Sequence, residues 1–364
     1  MGSSRGPVIE IRLGSLLQNV SFTAEKCHQA GISLAGVVKG MAGDTRCALT
    51  IEKGGADYIA SSRLCELRDA KQAGVRIPTM SLRVSMISEV TDVVKDADYS
   101  LESDLEVLKA LNAEAVKQGL THNVILMKDI GDLREGWWEE DEFISAALYC
   151  ERELPAIHVA GIGTNVGCYG SVVPTCEKLK ELTDCAEKVE GAIGRKLEII
   201  SGGASSSFVR VLDGDMPEGI NNLRIGEGLF LPMLYENAYA HKVPQMKQDV
   251  AVLSMEILEV RDKPTYPVGE LGVDAFSHKP VYVDRGIRKR ALAAGGRADY
   301  GFPDEIIPLD EGISLIGASS DHTILDIEDC TRDLKPGGRV SFYMNYLAML
   351  TAAGARDVSR EYIE

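Results

Sequence analysis

The chain has no run of 18 apolar residues, no block of basic residues and no Cys-x-x-Cys pair, and each absence removes a class of protein. A helix needs about 18 or more consecutive apolar residues to cross a bilayer. Nucleic acids and anionic membrane surfaces need clustered Lys and Arg; here the formal net charge is −16, so neither is expected as a partner. The opening residues Met1-Gly-Ser-Ser-Arg-Gly6 lack the apolar core of a signal peptide. The eight cysteines (27, 47, 65, 150, 168, 176, 185 and 330) are scattered. That pattern predicts reduced thiols in a cytoplasmic protein, with neither a disulfide framework nor a zinc site, and no metal is expected. What remains is ordinary globular material. With 45% apolar and 26% charged residues, 364 residues can build a sizeable core, as two domains or as one large barrel with an appendage.

One pattern recurs along the first two thirds. Apolar strand candidates lie at 33–39, 58–62, 79–83, 98–101, 123–127, 157–162, 197–201 and 222–225. Stretches with helical spacing separate most of them, among them Arg63–Ala73, Leu101–Gln118 and Thr175–Ile193. Alternating strand and helix predicts a parallel sheet, and this number of units in roughly 200 residues suits an α/β (β/α)8 barrel over residues 8–240. The period breaks near Pro244. From 245 to 364 the chain reads as a mostly-β domain, with strands at 250–260, 280–284, 289–294, 313–316, 322–327 and 339–343 and one short helix at 345–353.

Lys39 ends the apolar run Ile32-Ser-Leu-Ala-Gly-Val-Val-Lys39. At a buried strand end, desolvation disfavours a charged amine, and a lysine with a lowered pKa is the type that condenses with aldehyde cofactors. Alone, it reads first as a snorkelling lysine at a strand end. A barrel carries its chemistry just after each strand, on the C-terminal face. That filter selects Lys39 after strand one, Lys128-Asp-Ile-Gly-Asp-Leu-Arg134-Glu-Gly136 after strand five, Gly163-Thr-Asn165-Val-Gly-Cys168 after strand six, Ser201-Gly-Gly-Ala-Ser205-Ser-Ser207 after strand seven, and Arg224-Ile-Gly226-Glu227 after strand eight. Gly- and Ser-rich backbone after strands seven and eight suits a phosphate. An aldehyde-binding amine and a phosphate cup together are what pyridoxal 5′-phosphate requires.

With these motifs the chain resembles the alanine racemase-like family of pyridoxal phosphate enzymes (fold type III), in particular its ornithine racemase-type branch. Val37-Val-Lys39-Gly40 resembles the Schiff-base lysine motif, and Gly131-Asp-Leu-Arg134-Glu-Gly136 the element whose arginine lies beside cofactor and substrate carboxylate. The resemblance puts Asn165 under the pyridine ring and makes Ser205 the phosphate-binding serine. It assigns the N–H of Gly226 or Glu227 to the same phosphate and Arg224 to the pyridine nitrogen. In the β domain, Ala318-Ser-Ser320-Asp321-His-Thr-Ile-Leu-Asp326 resembles the segment that reaches a substrate carboxylate across a dimer interface, and Tyr346 a phosphate-binding tyrosine. The implied protein is a homodimer with shared active sites that interconverts L and D enantiomers of a small-molecule amino acid, ornithine or another with a distal amine.

Chemically, Lys39 would hold the cofactor and then move the Cα proton. Arg224, a permanent donor, would keep the pyridine nitrogen unprotonated and so restrain transamination. The sequence departs from the family at the second base. Gly272-Val-Asp274-Ala-Phe276-Ser-His278 carries phenylalanine in place of the tyrosine. Cys168 is the favoured substitute, ahead of Asp274, His278, Tyr282 and Asp321. Glu135, Asp132, Glu139 and Glu140 are candidates for a substrate ammonium. Two rival expectations are a D-threonine aldolase-type lyase, with a metal near Asp321, His322 and Asp326, and a non-catalytic cofactor carrier. Such carriers consist of the barrel alone, which the β domain argues against.

Overall fold

The computed structural model describes residues 6–363 apart from 274–276, 278 and 280. The chain forms two compact units, Gly14–Gln248 and a second built from residues up to Leu13 together with Asp249 onward.

The first unit is a closed barrel of eight parallel strands: Ser33–Val37, Tyr58–Ser61, Thr79–Ser81, Tyr99–Glu102, His122–Met127, Ile157–Gly163, Ile199–Ser201 and Asn222–Ile225. The eighth strand pairs with the first, Asn222 opposite Ser33 and Ile225 opposite Gly36, which closes the ring. Side chains alternate between two apolar layers, as the two-residue period of a strand demands. Ile125 and Met127 point inward with Ala35, Val37, Ala60, Met80, Leu101 and Ile199. Val124 and Leu126 point outward, onto helix residues such as Leu108, Leu111 and Phe143. Burial on both faces is why these strands read as continuous apolar runs.

The outward layer also holds a polar pair of interest. Glu102, fully buried, accepts the Ser85 hydroxyl at 2.6 Å, and burial raises its carboxyl to about 7. The helix that follows begins at Leu105, later than the sequence pattern suggested. Leu101 and Glu102 still belong to the strand, and the Asp104 carboxylate caps the helix by accepting the N–H of Glu106 at 2.8 Å.

The second unit is a mostly antiparallel sheet in the order Ile306–Pro308, Arg339–Met344, Ala251–Pro264, Ile287–Ala294, His322–Asp326, Ser314–Ala318. Val8–Arg12 joins it, antiparallel to Ala251–Pro264 and parallel to Ser359–Ile363. The observed division therefore puts residues 8–13, expected to open the barrel, in the β unit. A strand at 280–284 does not form over its described part. Residues 281–284 are irregular, and Val281 and Val283 are 91% and 69% exposed, so the alternating valines have no apolar surface to meet. Among the described residues, no helix is long and apolar enough to cross a membrane.

Candidate active site

Each barrel strand delivers its C-terminal residues to the same end of the ring. Val38 extends the first strand by donating to the Ala60 carbonyl at 2.9 Å, and Lys39 then opens a short 3-10 turn, Lys39–Met41. Burial, and then the charge of Arg134, lowers the Lys39 amine below its ordinary value. Arg224 adds to the lowering, while Cys168 and Glu135 oppose it. These five groups therefore share one electrostatic environment, although four come from the segments after strands one, five and six and Arg224 from strand eight itself.

The loop after strand five is a closed excursion. Trp137 donates to the Met127 carbonyl at 3.0 Å and Asp129 to the Trp137 carbonyl at 3.0 Å, so residues 129–136 bulge out and return. Gly136 makes the return possible. Its φ is +119°, and a Cβ there would lie 2.6 Å from the Asp129 nitrogen. Within the excursion, Arg134 and Glu135 face one another. Arg134 Nη2 donates to Glu135 Oε1 at 2.6 Å, and Arg134 Nε donates to Glu135 Oε2. Arg134 Nη1 donates to Cys168 Sγ at 2.9 Å. Burial works against the arginine's charge, but Glu135 and Cys168 outweigh it and raise its pKa.

The loop after strand six is held to this one by a buried carboxylate. Asp132, 1% exposed, accepts N–H groups of Tyr169 at 3.0 Å and of Cys168 and Val172 at 3.4 Å. Asn165 spans the site: Nδ2 donates to Glu135 Oε1 at 2.6 Å, and Oδ1 accepts Arg224 Nη2 at 3.3 Å. Arg224 is fully enclosed. It donates to the Thr164 carbonyl at 2.7 Å and to the Ser201 hydroxyl, and burial brings it down to about 10, still charged at neutral pH.

The turn after strand seven supplies the cup. Ser205 Oγ accepts the N–H groups of Gly226 at 3.3 Å and Gly228 at 3.1 Å. Gly226 is packed against the first strand; a Cβ there would lie 2.9 Å from Val37 Cβ, so the cup adjoins the strand that carries Lys39. Glu227 is pushed up to about 7 by burial, against the opposing charge of Lys39. Ser207 Oγ and Thr164 Oγ1 are buried with no hydrogen-bond partner among the described residues. Two buried hydroxyls left without partners suit a polar, phosphate-bearing ligand.

Residues 11–233 match the family described as alanine racemase, N-terminal domain. The chain belongs to that family. It is 39% identical over 358 residues to ornithine racemase of Acetoanaerobium sticklandii and 37% identical over 356 residues to lysine racemase of Thermotoga maritima, covering 98% of each chain in both cases. Among solved structures it is similar to the alanine racemase of Clostridium difficile 630, with a TM-score of 0.76 and 19% identity over 100% of this chain and 97% of that one. The D-threonine aldolase of Filomicrobium marinum shares the fold at a TM-score of 0.71 and 15% identity, over 95% of this chain and 88% of that one. The expected racemase, on a barrel followed by a mostly-β unit, is what the relatives and the fold bear out.

The structure thus gathers Lys39, Arg134, Asn165, Cys168 and Arg224 into one hydrogen-bonded or electrostatic cluster, with Ser205, Gly226 and Glu227 beside it. Ser320 and Asp321 lie in the exposed turn between Ser314–Ala318 and His322–Asp326, and Tyr346 opens the helix Tyr346–Gly354, all in the β unit. Tyr282 is partly exposed in an irregular stretch of that unit. Asp274, Phe276 and His278 lie outside the described residues. Of the acidic candidates for an ammonium, Asp132 holds the Cys168 loop, Glu140 pairs with Lys188 at 2.5 Å, and Glu135 is taken by Arg134 and Asn165. Glu139 precedes the helix Glu140–Glu153. Sequence reasoning missed Glu135's part in the cluster, because adjacent side chains ordinarily diverge and nothing in the order Arg-Glu announces a pair.

Proposed function

We propose that this racemase uses pyridoxal 5′-phosphate and acts on ornithine, lysine or a related amino acid with a distal amine. One observation carries the reading: a desolvated lysine, a buried arginine and a serine-capped turn reach one barrel mouth from strands one, eight and seven. Lys39 would hold the cofactor's aldehyde carbon. Ser205, the N–H groups of Gly226 and Glu227, and Tyr346 would hold its phosphate, Arg224 its ring nitrogen, and Asn165 the underside of the ring. When bound, the cofactor withdraws electrons from the substrate Cα–H bond.

This chain's own groups supply the proton traffic. The Lys39 amine, whose pKa burial and Arg134 lower, accepts the Cα proton on one face and returns it. The Cys168 thiol serves the other face in place of the missing phenol, with Arg134 Nη1 against its sulfur. Arg134 has N–H groups beyond those given to Glu135 and Cys168, and these meet the substrate carboxylate. Arg224 keeps its charge at neutral pH and offers donors only, so it prevents protonation of the atom it faces.

Ser320 and Asp321 would come from a second copy of the chain, completing the site in a cytoplasmic homodimer. An exposed apolar rim supports this: Leu133, Trp138, Tyr169 and Val173, on the loops after strands five and six, are 63%, 59%, 73% and 62% exposed. The lyase reading is disfavoured by Asp326, whose carboxylate accepts Arg285 and Arg288 at 2.7 Å each and is thereby committed to guanidinium partners.

Incubation with a panel of L-amino acids, with chiral chromatography and deuterium incorporation at Cα, tests the reading. Ornithine or lysine should racemise fastest. Activity confined to alanine would overturn the substrate assignment, and an active monomer in dilute sedimentation runs would overturn the shared site.

A further inference from the structure

Three cationic side chains, Lys39, Arg134 and Arg224, converge at the barrel mouth, and the Glu135 carboxylate lies among them. Glu135 takes three N–H bonds on its two oxygens: Arg134 Nε on one, Arg134 Nη2 and Asn165 Nδ2, each at 2.6 Å, on the other. Asn165 passes the connection to Arg224 at 3.3 Å, and Arg134 passes it to Cys168 at 2.9 Å. Leu133 adopts a φ of +58° and Gly136 one of +119°, so the Arg134–Glu135 pair sits between two positive-φ residues. The Glu135 side chain is 12% exposed while Arg134 is 36% exposed, so the carboxylate is shielded and the arginine reaches the open mouth.

We propose that Glu135 is a positioning residue for the reaction. It fixes the Arg134 guanidinium so that Nη1 points at Cys168, and through Asn165 it ties that orientation to Arg224. The proposal deepens the function proposed above and rests on it for turnover only. A carboxylate is required because every neighbour presents a donor. An amide at 135 would turn its own N–H toward Arg134 or Asn165, setting donor against donor. A shorter aspartate keeps both acceptor oxygens and the charge.

Glu135 also bears on Lys39. The amine is faced by Arg134 and Glu135 from the loop after strand five, Cys168 from that after strand six, and Arg224 and Glu227 from strand eight and its helix. Glu135 is a negative member of this set and supports the protonated amine, so its removal should let Lys39 lose its proton at lower pH.

The test compares wild type with Glu135→Gln, Glu135→Ala and Glu135→Asp, each checked for folding by its melting temperature. The first reading is kcat and KM from either enantiomer. The second needs no cofactor: the pH dependence of reductive methylation at Lys39 by formaldehyde with cyanoborohydride as the hydride donor, followed by peptide mapping. Gln and Ala should lower kcat/KM roughly 10- to 100-fold, the size expected of a misplaced reacting group, with KM raised as well because Arg134 also meets the substrate carboxylate. They should also move the methylation midpoint to lower pH, while Asp stays nearer wild type in both readings. Should Ala fail to fold, the near-isosteric Gln decides alone. Wild-type turnover or an unmoved midpoint in Glu135→Gln overturns the proposal. If wild-type protein racemises nothing, the methylation arm still reads Glu135 against Lys39, so failure of the functional reading is told apart from failure of this one.

Discussion

Lys39 and Cys168 differ in what surrounds them, and the difference assigns their work. Burial and two guanidiniums favour the neutral form of Lys39, suiting it to accept a proton. The Cys168 thiol is exposed at the mouth with an arginine N–H on its sulfur. If the two serve opposite faces of the substrate, losing the thiol should harm one direction more than the other. Cys168→Ala should slow Cα exchange in deuterium oxide from one enantiomer by about 100-fold or more relative to the other, the usual size of acid–base assistance. Equal, small effects on both would show a structural cysteine and pass the role to another group. Lys128 shows why a buried lysine alone is a weak sign. Its amine donates to the carbonyls of Asp129, Trp137 and Trp138 at 2.8, 3.1 and 2.7 Å, and it is occupied in holding its loop.

Among the elements, the two loops after strands five and six act as one piece because Asp132 is shared between them. Its carboxylate accepts three N–H groups of the Cys168–Val172 segment in a buried setting, where an unmade bond costs roughly 1–3 kcal/mol. Asp132→Ala should therefore release that segment while leaving the barrel strands intact. Hydrogen exchange should rise at 168–172 and stay unchanged in 122–127 and 157–163, with turnover down by about 100-fold. Unchanged protection at 168–172 would show that other contacts hold the loop. These loops were only partly legible in the sequence. The filter of strand C-terminal ends picked out Lys39, Arg134, Asn165, Cys168 and Arg224, because it needs only the order of strands. The bonds of Asp132 to the 168–172 segment and the pairing of Glu135 join loops after different strands or adjacent side chains, and only the folded backbone shows those.

At the scale of the whole molecule, the barrel was legible nearly strand by strand. Burial on both faces writes an apolar run into each strand and leaves polar residues to the loops. The β unit was less so. Val8–Arg12 pairs with strands that begin at 251 and 359, and contacts that distant leave no local pattern, so residues 8–12 were counted with the barrel and not read as a strand. The alternating valines near 281–283 show the converse, a strand pattern without a ladder to join. Stability should depend on pH through the barrel's outer layer. Burial carries Glu102 from the ordinary 4.5 up to about 7, so the fold prefers its protonated form. That preference is fully present below 4.5 and is lost as pH rises through 7. Glu102→Gln, a mimic of the protonated group, should melt near the wild-type temperature at pH 5 and above it at pH 8. The gain has a ceiling of about 3 kcal/mol, less whatever the Ser85 bonds return. A variant equally destabilised at both pH values would mean that the hydrogen bonds of the carboxylate outweigh its burial.

The central claim is that Lys39, and not another lysine, carries the cofactor. Purified protein loaded with pyridoxal 5′-phosphate, reduced with borohydride and mapped by peptide, tests it most directly. The account predicts a yellow protein whose reduced adduct lies on Lys39 and is lost in Lys39→Ala. A protein that stays colourless and gains no absorbance with added cofactor, or one whose adduct maps to Lys128, would contradict it.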